Sequence, residues 1–181
     1  MENKYYTVDI AGLKRDLLRC PLNDKIDIAA LIIFGDVELT VHAAKELLAR
    51  VPEFDYIITP EAKSIPLAYE MSRQSGKKYF VARKKPKIYM KQPVAVNVTS
   101  ITTQGVQTLI LDSVEGEEIR EKRVVIVDDV ISTGESLGAV EKLLAKFDCN
   151  VVAKAAILAE GDSYGRDDIT VLGYLPLLEK E

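Results

Sequence analysis

The stretch VVIVDDVISTGES, residues 124–136, decides the fold. Four apolar residues run directly into two carboxylates, Asp128 and Asp129, and a run of small and hydroxyl-bearing residues follows. A short apolar run of this kind is typical of a strand that is buried on both faces. The carboxylates and the turn therefore lie at the carboxyl end of a strand, which is the edge where open parallel sheets bind ligands.

The rest of the chain alternates apolar runs with amphipathic segments, which predicts an α/β fold with an open, mostly parallel sheet and helices on both faces. The predicted strands are 26–34, 55–60, 78–83, 123–129 and 151–160, and the predicted helices are 37–51, 64–74 and 136–147. Two regions interrupt the alternation. An antiparallel flap hairpin is predicted at about 84–112, with its tip at Thr102–Gly105, and a small hood at about 1–20 and 160–181. Around a core at about 26–160, residues 1–181 are expected to form one domain.

The composition excludes several classes of protein. The 181 residues are 48% apolar and 29% charged, which is usual for a globular chain. A formal net charge of -4 argues against a general nucleic-acid coat. No signal peptide is visible, and no apolar run reaches the roughly 20 residues of a membrane span. Two distant cysteines without metal-ligand spacing indicate reduced thiols, so a cytoplasmic protein is expected.

The residues after the acid pair suit a phosphate monoester. Backbone amides at a helix N-terminus point outward and carry partial positive charge. Thr133 and Ser136 add hydroxyl groups, and Gly134 allows the backbone to approach an oxygen ligand closely. Asp128 and Asp129 repel a phosphate but can accept hydrogen bonds from a sugar diol. The pattern predicts a sugar-phosphate site, and the alternative is a strand-end Asp followed by a Ser that caps the helix. Neither a P-loop nor a G-x-G-x-x-G fingerprint is present.

These thirteen residues closely resemble the phosphoribosyl-pyrophosphate signature of type I phosphoribosyltransferases. PEAKS, residues 60–64, is similar to the pyrophosphate loop of the adenine-type branch. That loop often contains Arg-Gly, and this chain has Lys63-Ser64 instead. ARKKPK, residues 82–87, resembles the basic strand end that precedes the mobile flap of that branch. The segments at 6–17 and 174–178 resemble its hood.

The resemblance implies a role for each matching residue. Asp128 and Asp129 would hold the ribose hydroxyls, and Ala62, Lys63 and Ser64 would offer backbone amides exposed by an unusual peptide geometry. The implied catalytic residues are Asp128, Asp129 and Lys87. The implied ribose 5-phosphate contacts are Asp128, Asp129, Ser132, Thr133, Gly134, Glu135 and Ser136, and the implied pyrophosphate contacts are Glu61, Ala62, Lys63, Ser64, Arg83, Lys84 and Lys85. Mg2+ would be carried by the substrate rather than by protein ligands, and a homodimer is implied.

The implied activity is transfer of the phosphoribosyl group to a purine, with adenine as the first choice. Hypoxanthine, guanine and xanthine stay open, because Ser132 replaces the Asp or Ala found in other members and is neutral on the base. Thr103 and Gln104 align with a Glu-Tyr pair of the flap. A sensor that binds the donor without turnover is the second hypothesis, and a phosphotransfer or phosphatase domain using Asp128 or Asp129 is the third. His42 is expected to serve packing or to lie on the surface.

Overall fold

A computed structural model describes residues 4–99 and 106–180. The predicted flap tip, Thr102–Gly105, with the aligned pair Thr103 and Gln104, lies outside the described residues. The described strands are β1 (Tyr5–Ile10), β2 (Leu13–Pro21), β3 (Ile26–Ala30), β4 (Tyr56–Pro60), β5 (Lys78–Ala82), β6 (Pro93–Thr99), β7 (Val106–Asp112), β8 (Arg123–Ile131), β9 (Asn150–Glu160), β10 (Thr170–Leu175) and β11 (Leu178–Glu179). The helices are α1 (Val37–Leu48), α2 (Ile65–Ser75), α3 (Ser113–Glu118) and α4 (Glu135–Ala145), with a 3-10 turn at Gly161–Gly165.

A five-stranded parallel sheet forms the centre of the molecule, in the order β10-β9-β8-β4-β5. Helices α1 and α2 pack on one face, where Leu47 and Met71 share an apolar cluster with Val125 of the sheet. Helix α4 packs on the other face, where Leu143 meets Ile126. This arrangement confirms the predicted α/β class.

The hood is a separate antiparallel sheet in the order β1-β2-β3-β11, and its membership differs from the prediction. Strand β3 was expected in the main alternation but pairs with β2 and β11. It is buried on one face only, through Asp27 and Ala29, as suits an antiparallel sheet. Strand β10 was expected in the hood but lies beside β9. The two sheets are in close contact at Gly173 of β10. A Cβ on this residue would lie only 2.9 Å from the Asp9 carbonyl oxygen of β1.

Strands β6 and β7 form the predicted antiparallel flap hairpin. A backbone bridge between Arg83 and Ile110, with both N–H···O distances at 2.8 Å, joins the hairpin to the end of β5. Its apolar side chains, including Val96 and Leu109, pack into the same cluster as α4. After β7, the short helix α3 begins, and its first turn is fixed by a capping box between Asp112 and Glu115.

Side chains tie the hood to the helical layer. The Nε2 atom of His42 lies 3.1 Å from the carbonyl oxygens of Ile10 and Ala11, which confirms a packing role for this residue. Arg15 of β2 reaches Asp36, with a 2.7 Å contact from Nε to Oδ2, and also contacts Glu38. Within the described residues, no helix is both long and apolar enough to cross a membrane.

Candidate active site

The site opens where β4 and β8 stop pairing. Their register runs from Tyr56–Val124 to Ile58–Ile126 and then ends. Beyond this point, the hydroxyl group of Thr59 connects the two strands in place of backbone hydrogen bonds. Thr59 Oγ1 lies 2.8 Å from the Val127 carbonyl oxygen and 2.7 Å from Ser64 Oγ. A cavity of about 360 Å3 lies at this edge. The described residues that line it are Pro60, Glu61, Ala62, Lys63, Ser64, Lys84, Leu109, Asp128, Asp129, Val130 and Ser136.

The acid pair lies inside β8, because this strand continues to Ile131 and pairs there with Ala159. Asp129 is 4% exposed, and its backbone N–H donates to Asp128 Oδ1 at 2.9 Å. Removal from water, followed by the neighbouring charge of Asp129, raises the pKa of Asp128 to about 7. One of two adjacent carboxyl groups is therefore available in its protonated form near neutral pH.

The loop at 60–64 faces this pair, and its Glu61–Ala62 peptide bond is cis. The Lys63 Nζ atom lies 2.7 Å from Asp129 Oδ2, although the Lys63 side chain is half exposed. Ser64 is buried, and its hydroxyl contacts Thr59 and the Pro60 carbonyl oxygen. The Ser64 side chain therefore holds the loop against β4, which leaves its backbone as the group that can meet a ligand.

Glu61 contacts three basic residues at the rim of the cavity. Its Oε2 accepts the Lys84 backbone N–H at 2.9 Å, and its Oε1 lies 3.4 Å from Arg83 Nη2 and 3.9 Å from Lys87 Nζ. The Lys84 amide, supported by the charges of Arg83 and Lys87, lowers the pKa of Glu61. A carboxylate in this position repels pyrophosphate, so Glu61 suits the orientation of the cations better than direct contact. Lys85 is exposed on the same segment.

A second, smaller cavity of about 110 Å3 shares the lining residues Asp128, Val130 and Ser136 with the first. It is lined by Asp128 and by residues 130–137, so all five residues from Ser132 to Ser136 contribute. Gly134 immediately precedes α4 and has a φ of +80°, a conformation in which glycine avoids the penalty paid by other residues. The first amides of this helix follow directly. The structure thus brings together the acid pair, the 60–64 loop and the 132–136 turn at one edge of the sheet.

The segment after β9 also touches the turn, and sequence analysis gave it no role. The Ser163 hydroxyl donates to the Ser132 carbonyl oxygen. Arg166 lies so close that a Cβ on Gly134 would be 2.6 Å from its Nη1 atom. The polar run GDSYGRDD, residues 161–168, follows a strand whose end meets the same edge, and that position is the signal that could have marked it.

A family model described as "Phosphoribosyl transferase domain" matches residues 39–177. The chain belongs to the phosphoribosyltransferase family. This phosphoribosyltransferase chain is 32% identical over 139 residues to adenine phosphoribosyltransferase of Cenarchaeum symbiosum, covering 76% of the chain and 79% of that protein. It is 36% identical over 108 residues to hypoxanthine/guanine phosphoribosyltransferase of Methanococcus voltae, covering 60% of the chain and 54% of that relative.

The fold of this phosphoribosyltransferase is similar to that of adenine phosphoribosyltransferase from Thermoanaerobacter pseudethanolicus. The TM-score is 0.70 at 20% identity, and the match covers 87% of this chain and 93% of the other. This similarity concerns the fold alone. The chain spans about half the length of several of the curated hypoxanthine/guanine relatives that it matches.

Proposed function

We propose that this protein transfers the 5-phosphoribosyl group from phosphoribosyl pyrophosphate to a purine base, forming a nucleoside monophosphate and pyrophosphate. One observation carries the proposal. The acid pair, the 60–64 loop and the 132–136 turn line two neighbouring cavities at the carboxyl edge of the sheet. Phosphoribosyl pyrophosphate has a ribose diol between a 5-phosphate and a pyrophosphate. This order matches the acid pair between the 132–136 turn and the 60–64 loop.

Each part of the site has a task in this reaction. The turn at 132–136 binds the 5-phosphate through the amides that begin α4. Asp128 and Asp129 accept hydrogen bonds from the ribose hydroxyls and stabilise the positive charge that builds on the ring. Lys63 and Lys84, which line the larger cavity, neutralise the departing pyrophosphate, with Arg83, Lys85 and Lys87 nearby. The purine nitrogen attacks the anomeric carbon from the side opposite the leaving group.

The residues present fit a magnesium ion that the substrate carries. No cluster of three or more His, Cys, Asp or Glu side chains able to hold a metal occurs among residues 4–99 and 106–180. Asp129 Oδ2 is buried and lies 2.7 Å from the Lys63 Nζ atom, so this oxygen is already oriented toward a positive charge. Mg2+ usually keeps most of its ligands as water and substrate oxygens. When bound, it would neutralise part of the pyrophosphate charge.

Adenine is the first candidate base. The 60–64 loop resembles the adenine branch, and the Cenarchaeum relative named for adenine is matched over more than three quarters of both chains. Hypoxanthine and guanine form the second candidate, because the Methanococcus relative is named for these bases and is 36% identical.

The test is an assay of the purified protein with Mg2+, phosphoribosyl pyrophosphate and each base in turn, in which the nucleotide is followed by chromatography. We expect product with adenine, or with hypoxanthine and guanine, and none when the donor is omitted. If no purine gives product while the donor binds, the protein is a sensor. Phosphorylation of an aspartate would instead support the phosphotransfer alternative.

A matched variant tests the acid pair in the same assay. Asp129→Asn keeps the shape of the side chain but removes the charge, so we expect a loss of at least about a hundredfold in kcat/KM, equivalent to about 2.7 kcal/mol. The melting temperature should stay close to that of the parent protein, since the partner Lys63 is half exposed and can be hydrated. An unchanged rate would remove these carboxylates from the reaction.

We also infer a homodimer. Three apolar side chains before and at the start of α1, those of Ile32, Phe34 and Val37, are largely exposed within a short stretch of the chain. Contiguous exposed apolar side chains are typical of a surface that another protein covers. Sedimentation equilibrium of the parent protein and of a Phe34→Ser variant tests this inference. We expect a dimer that the variant weakens, and a monomeric parent protein would contradict it.

A further inference from the structure

The 5-phosphate cradle, defined as residues 132–136, contains no cation of its own. Glu135 is its one charged residue by sequence, and Asp128 and Asp129 precede it, so the charged side chains in and before the cradle are acidic. A phosphate monoester near neutral pH carries a charge of about -1.5 to -2. The amides at a helix N-terminus supply only about half of one positive charge. The cradle therefore needs a cation from elsewhere in the chain.

Arg166 is placed to be that cation. Its Nη1 atom would lie 2.6 Å from a Cβ on Gly134, so the guanidinium occupies the space beside Gly134 that a side chain would fill. The Nε–Nη2 edge of the guanidinium is bidentate to Asp168, with Nε to Oδ1 and Nη2 to Oδ2 both at 2.8 Å, and Nη1 is the nitrogen next to Gly134. The edge that faces the cradle is thus a positively charged N–H group.

The position of Arg166 is fixed by its contact with Asp168. Asp168 also contacts Lys154 Nζ at 2.8 Å, and Lys154, which is mostly buried, contacts Glu141 of α4 at 2.7 Å. This chain of contacts runs from the guanidinium to the helix that the cradle begins. A bidentate carboxylate restricts the guanidinium more than a single contact does.

The same segment holds the cradle at a second point. The Ser163 hydroxyl donates to the Ser132 carbonyl oxygen, and the Arg166 backbone N–H donates to the Ser163 carbonyl oxygen at 3.2 Å. Residues 163–166 therefore contact the first and the third residue of the cradle. Contact at both positions limits the ways in which the turn can open.

We propose that Arg166 is a positioning residue for the 5-phosphate: it holds the cradle closed at Gly134 and supplies the positive charge that the cradle lacks. The Arg166 charge attracts the phosphate from behind the turn, while the backbone amides of α4 make the direct hydrogen bonds to it. The inference rests on the proposed function, since it assigns a further residue to the same site. It predicts that Arg166 governs affinity for the phosphate end of the donor and leaves the pyrophosphate end almost untouched.

The experiment measures binding of ribose 5-phosphate and of pyrophosphate by isothermal titration calorimetry. We expect Arg166→Met to weaken ribose 5-phosphate by about tenfold and to change pyrophosphate affinity by less than about twofold. Arg166→Lys keeps the charge and should recover most of the affinity for ribose 5-phosphate. Asp168→Asn keeps Arg166 but loosens it, and it should give an intermediate loss.

Arg120→Met is the matched control. Arg120 is as exposed as Arg166, at 35% against 33%, and is likewise bidentate to a carboxylate, that of Glu117, but it lies outside the site. This variant should bind both ligands like the parent protein. Melting temperatures of all variants report any general loss of structure.

The outcomes separate the two claims. If Arg166→Met binds ribose 5-phosphate as tightly as the parent protein, or loses both ligands equally, the role of Arg166 is refuted while the proposed function stands. If Lys fails to restore what Met loses, the charge has no part in the effect and the proposal is also refuted. If the parent protein binds neither ligand, the proposed function itself fails.

Discussion

Asp128 and Asp129 are neighbours in one strand, yet their side chains have different surroundings. Asp129 faces the amine of Lys63 at 2.7 Å. Asp128 faces Asp129 and is shielded from water, and its pKa is raised to about 7. A strongly shifted pKa commonly marks a site that handles charge. The strand thus combines a carboxylate that faces a lysine amine with a carboxyl group that ionises near neutral pH.

The raised pKa of Asp128 predicts a pH-dependent effect of Asp128→Asn on stability. The folded state binds the proton more tightly than the unfolded chain, so wild-type stability falls as pH rises from about 4 to about 7 and is level above that. We expect the Asn variant to be more stable than the wild type by on the order of 1–3 kcal/mol near pH 8 and equal to it near pH 4. Urea unfolding at both values measures the difference.

Asp24→Asn provides the control, because Asp24 is exposed and its substitution changes the net charge by the same amount. It should leave stability almost unchanged at both values. Equal stability of Asp128→Asn and wild type near pH 8 would show that Asp128 is not held in an unfavourable environment.

At the scale of elements, the junction between β8 and α4 gives the site its form. Its strand, acids and turn could be predicted from residues 124–136, because an apolar run, two carboxylates and a Thr-Gly pair all act locally. The contact that Thr59 makes could not be predicted, and the position of the run 161–168 could mark its segment but not the contact of Arg166 with the turn. Thr59 Oγ1 reaches the Val127 carbonyl oxygen, and Arg166 reaches Gly134, and both contacts depend on how distant segments meet.

The exchange of β3 and β10 between the sheets has a similar cause. Both are short apolar runs, and their composition suits either sheet. The strand beside which each one pairs decides its sheet. Strand β3 pairs with β2 of the hairpin that precedes it, and β10 pairs with β9. In β10, the absence of a side chain at Gly173 lets the hood approach, which is a tertiary reason that a local pattern does not reveal.

Gly134→Ala tests the junction. At a φ of +80° an alanine costs about 1–2 kcal/mol, and its Cβ would also displace Arg166. We expect ribose 5-phosphate affinity to fall by about tenfold or more, with the melting temperature lowered by a few degrees. Calorimetry and thermal unfolding measure the two effects.

Gly138→Ala is the control, because it lies one turn further along α4, where a Cβ meets no atom within 4 Å. Helix propensity favours alanine there, so the protein should be as stable as the parent or slightly more so. Normal phosphate binding by Gly134→Ala would show that the turn tolerates another conformation.

At the scale of the molecule, Arg15 joins the hood to the helical layer. It connects β2 to Asp36, and Asp36 in turn caps α1 by accepting the Leu39 N–H at 3.0 Å. The pairing raises the pKa of Arg15 and lowers that of Asp36, so the contact persists through the neutral range.

Arg15→Met should loosen the hood without unfolding the sheet. We expect faster hydrogen–deuterium exchange in β1 and β2, unchanged exchange in β8 and β9, and a loss of only about 1 kcal/mol in overall stability. Arg19→Met is the control, because Arg19 pairs with Asp27 inside the hood and not across to α1. Equal exchange in the Arg15 variant and the parent protein would show that Arg15 does not hold the hood in place.

The pairing of β11 with β3 has a consequence for synthesis. Residues 178–179 complete the edge of a sheet whose other three strands end by residue 30. On the ribosome, every strand of the parallel sheet emerges before that edge can close, because chains leave in order from the N-terminus. A nascent chain halted near residue 176 therefore already carries the acid pair and the phosphate turn, while the hood still lacks its last strand.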